Sequence, residues 1–256
     1  MKEIKQFLKS KGMKEKTIKT YSSIIERIIS QLGKEFTQSQ LENYLATLDL
    51  NPNSYNLYRA VMNFYTERYL NYSITFSKAK KNNFLPTEVT QDEFKKFMKV
   101  IPNQKHRLGF GLMYESGLRV NEVINVKKYD LNFEKLIIRI RGKGKKDRYS
   151  ILPESLAQEL KRFSQRKQNY LFTNQNNGKK LTIKTFQIRL RDAIKQAKIK
   201  KKFTCHSLRH SFAINLVNKG IDIHIVKDLL GHSSLSTTQI YLKCRTVDLT
   251  KIAKGE

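Results

Sequence analysis

The chain has 256 residues, 39% hydrophobic and 10% aromatic, with four prolines and eleven glycines, which is globular rather than disordered or fibrous and sufficient for one large or two modest domains. Fifty Lys and Arg against 22 Asp and Glu leave a charge of +28 and a pI near 10.0, a self-repelling excess that implies a polyanionic partner, nucleic acid first. No run of about eighteen apolar residues exists to span a membrane, the charged N-terminus lacks a secretory apolar core, and Cys205 and Cys244 offer neither a disulfide framework nor zinc-ligand spacing, so a cytoplasmic protein is expected.

The first eighty residues read as helices. IKQFLKSKG ends on Gly12, and KTIKTYSSIIERIISQLG repeats apolar residues at three-to-four spacing before Gly33. TQSQLENYLATL opens with the capping-box pair Thr37 and Gln40. NSYNLYRAVMNFYTERYL follows with Asn53 as expected N-cap, and its aromatic stripe of Tyr58, Phe64, Tyr65 and Tyr69 reads as core. Residues 1–80 are therefore expected to form a small helical bundle.

Ser77 to Val89, basic, polar and broken by Pro86, reads as an interdomain linker into a second domain, residues 81–256. Charge divides unevenly about it: residues 1–85 carry 14 basic and 7 acidic side chains, residues 86–256 carry 36 and 15. Thr90 and Glu93 cap a new helix, a second spans about Gln104 to Ser116 before Gly117, and a third runs from about Arg119 to Val126. Leu136–Arg141 and Arg148–Leu152 flank a Gly-Lys-Gly-Lys-Lys turn and predict a β-hairpin. Helices return in PESLAQELKRFSQ, IKTFQIRLRDAIKQAK, TCHSLRHSFAINLVNKG, DIHIVKDLLG and STTQIYLK. The fold class is mainly α with a small antiparallel β-sheet, an α+β chain.

GKGKK lies in a hairpin turn rather than between a strand and a helix, so it is not a phosphate-binding P-loop. There is no acidic cluster to hold paired magnesium ions, and His206 and His210 lack a third metal ligand near in sequence, so neither metal nor cofactor is expected. A reacting phosphate would then be neutralised by side chains, best by arginine with its planar fork. His206 and Arg209 share a face in the first turn of their helix, with Thr204 as N-cap. On this stretch alone, a solvated cap and one wall of a phosphate site stay equally open.

Taken in order, ESGLRVNEVINV, RGKGKKDRYSILP, HSLRHSFA and LLGHSSLSTTQIY resemble the tyrosine recombinase (phage integrase) family, most closely its compact Xer-like members. The resemblance covers nearly the whole chain and implies a SAM-like core-binding domain followed by a catalytic domain. It implies Tyr241 as nucleophile on a DNA phosphate, giving a 3′-phosphotyrosine and a free 5′-hydroxyl; Arg119 and Arg209 as phosphate clamps; and Lys143 as general acid. His206 would assist the tyrosine and His232 would bond the phosphate. Glu122 is read as a buttress of its helix, His210 and Cys205 as structural.

The implied partner is double-stranded DNA with paired half-sites, gripped by two domains as by a clamp. One dimer would bind each site and a tetramer would form the synapse, exchanging strands through a Holliday junction. The task would be chromosome-dimer resolution, hence chromosome partition, or mobile-element integration and excision. The fifteen residues after Tyr241 leave room for a small helix, docking in cis or in trans. Two alternatives are a type IB topoisomerase, whose sequence around the last histidine and tyrosine usually differs, and a catalytically silent DNA-binding relative, against which all six positions hold competent residues.

Overall fold

The computed structural model describes residues 1–75, 77–80, 85–142, 147–165, 168–174 and 177–244. The chain folds as two compact units, Met1–Phe84 and Leu85–Glu256.

The first unit holds α1 (Lys2–Ser10), α2 (Glu15–Leu32), α3 (Gln38–Thr47) and α4 (Pro52–Tyr65). In α2, Ile18, Ile25 and Ile28 recur on one face and are buried together with Leu8, Leu41, Leu45 and Met62, so burial of one apolar stripe per helix builds the bundle. The Thr37 hydroxyl accepts from the Gln40 amide, and the Gln40 side chain accepts from the Thr37 amide at 2.8 Å, a closed capping box. The N-cap of α4 is Asn51 rather than Asn53: the Asn51 side-chain Oδ1 accepts from the amides of Asn53 and Ser54, because Pro52, with no N–H to lose, occupies the first helical position. Tyr58 and Tyr65 are buried and Phe64 and Tyr69 half-buried against this core. After Tyr65 the helix widens into a π-turn over Thr66–Leu70 and stops at Asn71, in the left-handed region at φ 58°.

The second unit runs through α5 (Gln91–Lys99), α6 (Gln104–Glu115), α7 (Val120–Val123), β1 (Leu131–Asn132), β2 (Ile137–Ile140), β3 (Arg148–Ile151) and α8 (Glu154–Ser164). It continues through α9 (Ile183–Gln196), α10 (Cys205–Asn218), α11 (Ile223–Leu230) and α12 (Ser236–Gln239), which tightens into a 3₁₀ segment, Ile240–Cys244. Thr90 and Glu93 cap α5 as expected. Val89, the last residue of the expected linker, is buried and donates its amide to the Ser211 hydroxyl at 2.7 Å, so it belongs to this unit; residues 81–84 lie outside the described residues.

At the centre, α6 packs along α10, and both are covered on most sides: Leu108, Phe110, Leu112 and Met113 of one and Leu208, Phe212, Ala213 and Ile214 of the other are buried. The sheet is antiparallel in the order β1-β2-β3, pairing Arg139 with Tyr149 and Ile138 with Ser150. Alternation along β2 buries Ile138 and Ile140 and leaves Arg139 outside. The two-residue β1 is too short to display a period in sequence. The helix expected from Arg119 to Val126 is one turn long, because Val126 and Lys127 are drawn into backbone pairing with Leu171 and Tyr170.

Candidate active site: arginines around a buried tyrosine

Between α6 and α7 the chain reverses at Gly117, whose φ of 66° favours glycine and whose Cβ position lies 2.4 Å from the Phe212 ring. The reversal leaves Arg119 at the entrance of α7. There the Glu122 carboxylate accepts from the Arg119 amide at 2.7 Å and from its guanidinium at 2.9 Å. Arg209 rises from the second turn of α10 and is 3% exposed. It donates to the Gly117 carbonyl at 2.7 Å and to the Leu230 carbonyl at 2.5 Å, and the latter also accepts from Arg119 at 3.3 Å. The carbonyl end of α11, the negative pole of that helix, thus gathers both arginines.

A third guanidinium joins them. Arg148, the first residue of β3, donates to Glu122 at 2.8 Å, while its Nη1 is buried with no hydrogen-bond partner. Glu122 also lies 3.6 Å from Arg209, so one carboxylate faces three arginines. Arg148 lies flat on Gly231 at the end of α11, where a Cβ would fall 2.4 Å from its Cδ and Nε. Burial, then the charge of Arg119 among its neighbours, pushes the Arg209 guanidinium down from its ordinary value; Arg148 is lowered chiefly by burial.

Tyr241 sits on the 3₁₀ segment and is 1% exposed, packed with Phe212, Val217, Val226 and Leu230. Its hydroxyl lies 2.7 Å from Nδ1 of His210. Burial raises the phenol above its ordinary value, while Arg209 and Arg119 pull it the other way. His232 follows Gly231, lies 2.9 Å through Nδ1 from the Thr238 hydroxyl, and stacks near-parallel to the Tyr241 ring at 6.4 Å. Burial and then Arg209 hold His232 down at about 4. His206 is exposed in the first turn of α10, where Thr204 caps the helix by accepting from the Ser207 amide; partial burial, then Arg209 and Arg119, lower its value too.

Residues 87–246 match the phage integrase family, and residues 1–76 match the N-terminal SAM-like domain of phage integrases. The chain belongs to the phage integrase family. It is a tyrosine recombinase, and the activity expected from sequence, site-specific DNA recombination, is the one this membership supports; neither alternative is favoured. Tyrosine recombinase XerA of Pyrococcus furiosus is 36% identical over 95% of this chain and 88% of its own length. XerH recombinase bound to a palindromic difH substrate, in a post-cleavage complex, is 26% identical, covering 93% of this chain and 79% of that one at a TM-score of 0.74. The Tn1549 transposon integrase, solved with circular-intermediate DNA, is 18% identical and shares the fold over 98% of both chains, with a TM-score of 0.77.

Of the residues singled out from sequence, Arg119, Arg209, His232 and Tyr241 gather around Gly117, Leu230 and Glu122; His206 opens the same helix that carries Arg209; Lys143 lies outside the described residues. Sequence reasoning misses three features. It gives Arg148 only as a strand residue, although this arginine begins the strand that leaves the basic turn. Glu122, read as a buttress of α7, holds three arginines. His210, read as structural because it points away from Arg209, points instead at the Tyr241 hydroxyl. Its partner is 31 residues along the chain, beyond any helical spacing.

Proposed function

We propose that this protein cuts and rejoins duplex DNA at paired half-sites, with Tyr241 as nucleophile. The observation that carries the reading is the burial of Tyr241 in one cluster with Leu230, whose carbonyl accepts from both Arg209 and Arg119. The phenolic oxygen attacks the scissile phosphorus, a 3′-phosphotyrosine forms, and the 5′-oxygen leaves. The bond to tyrosine keeps the phosphodiester energy for rejoining, so no nucleotide cofactor is needed. Arg119 and Arg209 stabilise charge growing on the non-bridging oxygens. Three guanidiniums against the single Glu122 carboxylate leave a net positive pocket, supporting a phosphoryl group that gains negative charge in the transition state. Lys143 protonates the leaving oxygen, His232 hydrogen-bonds the phosphate, and His206 assists the tyrosine.

The first unit, residues 1–80 in the boundary read from sequence, serves as the core-binding domain, and residues 81–256 hold the chemistry. The palindromic substrate in the solved XerH complex supports two protomers per site; on this reading four protomers meet in the synapse and the protein works in the cytoplasm. A cleft of about 850 Å³ with Leu190, Ile194 and Phe203 as floor and Lys184, Arg191 and Lys195 at its rim reaches His206, which supports duplex contact on that side. The test is a duplex nicked next to the cleavage point, so that a short strand diffuses away and traps the covalent complex. The wild type accumulates the complex and Tyr241→Phe gives none; equal signal from both would sink the assignment.

A further inference from the structure

A phenol that attacks phosphorus must give up its proton, and the surroundings of Tyr241 restrict where that proton can go. The side chain is 1% exposed, so bulk water does not reach it. Among the described residues, the hydroxyl has one hydrogen-bond partner, Nδ1 of His210 at 2.7 Å. That distance lies within the reach of a general base. The other groups close by are poorly suited: arginine has no lone pair to offer, and the Glu122 carboxylate is taken up by three guanidiniums. His206, exposed at the helix entrance, assists from the DNA side without a hydrogen bond to the phenol, and His232, though stacked on the tyrosine ring, turns its Nδ1 to the Thr238 hydroxyl.

We propose that His210 is a catalytic residue of strand cleavage, its Nδ1 taking the Tyr241 proton as the phenolic oxygen attacks the phosphorus. The proposal rests on Tyr241 being the nucleophile. In the step, the O–H bond of Tyr241 breaks and its proton passes to His210, the phenolic oxygen bonds to phosphorus, and the bond from phosphorus to the 5′-oxygen breaks. The leaving oxygen takes a separate proton from Lys143. Rejoining reverses the transfer: the 5′-hydroxyl attacks, and the departing tyrosine recovers its proton from the His210 imidazolium.

Electrostatics decides when this happens. His210 is faced by His206 and Arg209 on its own helix, by Tyr241 from the 3₁₀ segment and by His232 from the segment after α11. Burial first, then His206 and Arg209, hold its imidazole down at about 4, so at neutral pH it is unprotonated and able to accept. A buried imidazolium beside Arg209 is unfavourable by itself. The negative charge of an incoming phosphodiester offsets that repulsion, so the transfer is tied to the presence of DNA.

The experiment measures single-turnover cleavage of the nicked duplex in two forms, one ordinary and one with sulfur in place of the 5′-bridging oxygen, whose thiolate leaves without needing a proton. His210→Asn, whose side chain still reaches the hydroxyl but accepts no proton, and His210→Ala are compared with Lys143→Ala. We expect both His210 variants to lose roughly 10²- to 10⁴-fold in rate on both duplexes, while the Asn variant keeps its melting temperature and DNA affinity. Lys143→Ala should recover on the sulfur duplex. The proposal is overturned if His210→Asn cleaves at the wild-type rate or faster, if sulfur restores it, or if its loss merely tracks weaker DNA binding or a collapsed melting temperature. A covalent complex formed by Tyr241→Phe would instead overturn the underlying nucleophile.

Discussion

Replacing Glu122 by alanine is expected to destabilise the protein by about 3–5 kcal/mol. Of the three arginines it faces, Arg119 has 37% of its side chain exposed, so that pair is screened and adds less than about 1 kcal/mol. Arg148 and Arg209 have side chains 14% and 4% exposed, and these carry the cost. Arg148 already has one buried nitrogen without a partner and would lose the acceptor of the other, leaving an uncompensated buried charge. For a domain of this size each kcal/mol moves the melting temperature by about 2–4 °C, giving a fall of roughly 6–20 °C. Calorimetry on the full chain reads the shift. Glu122→Gln, which keeps an acceptor and loses the charge, should fall between the two. In a double-mutant cycle with Arg148→Met, the combined loss should be smaller than the sum, because the second change removes the charge that the first leaves unpaired. A melting temperature within about 2 °C of wild type for Glu122→Ala, or strict additivity in the cycle, would refute the idea that one carboxylate holds the arginines together.

Two further outcomes are expected. Gly231→Ala sets a Cβ at a φ of 64° and 2.4 Å from Arg148 Cδ and Nε, so it should cost roughly 2–4 kcal/mol in urea unfolding and displace Arg148 from Glu122; an unchanged midpoint would contradict this. His210 and His232 are both held at about 4 in the folded chain, below the 6.5 of a free imidazole. The unfolded chain therefore binds more protons between those values, so stability is full above about 6.5 and falls as pH drops toward 4. Melting temperatures measured from pH 7.5 to 5 should show this decline, and His210→Asn should flatten it; a wild type that melts at the same temperature throughout would count against buried neutral histidines.

What the sequence reveals here follows from how local each signal is. Capping boxes at Thr37 and Thr90 and the turn at Gly117 involve residues three apart or a single backbone angle, so they can be read directly. The apolar stripe of α2 is equally local. The N-cap at Asn51 is missed by two residues because Pro52 stands where a helix interior would exclude it but a first turn accepts it. The strand β1 is only two residues long, and α7 is cut short by pairing with residues more than forty positions later. In the site, Arg119 and Arg209 stand out because their motifs are contiguous. Arg148 and His210 do not, because their partners arrive from elsewhere in the chain: Glu122 is 26 residues before the one, Tyr241 31 after the other. No periodicity records such a meeting; it is a product of packing.

The buried pose of Arg209 bears on how such a protein could fall silent over generations. Its guanidinium ties the turn at Gly117 to the end of α11 as well as facing the pocket. Removing it takes a donor from two carbonyls, of which only that of Leu230 keeps Arg119, and leaves a buried cleft unfilled, a loss of fold before it is a loss of chemistry. Tyr241 packs in the same core, yet Phe replaces all of it but one hydroxyl. A lineage drifting out of catalysis therefore has an easy exit at the tyrosine and a steep one at the arginine. Idle descendants should keep the arginine long after the tyrosine has gone, so in this fold the arginine reports on architecture and the tyrosine on use.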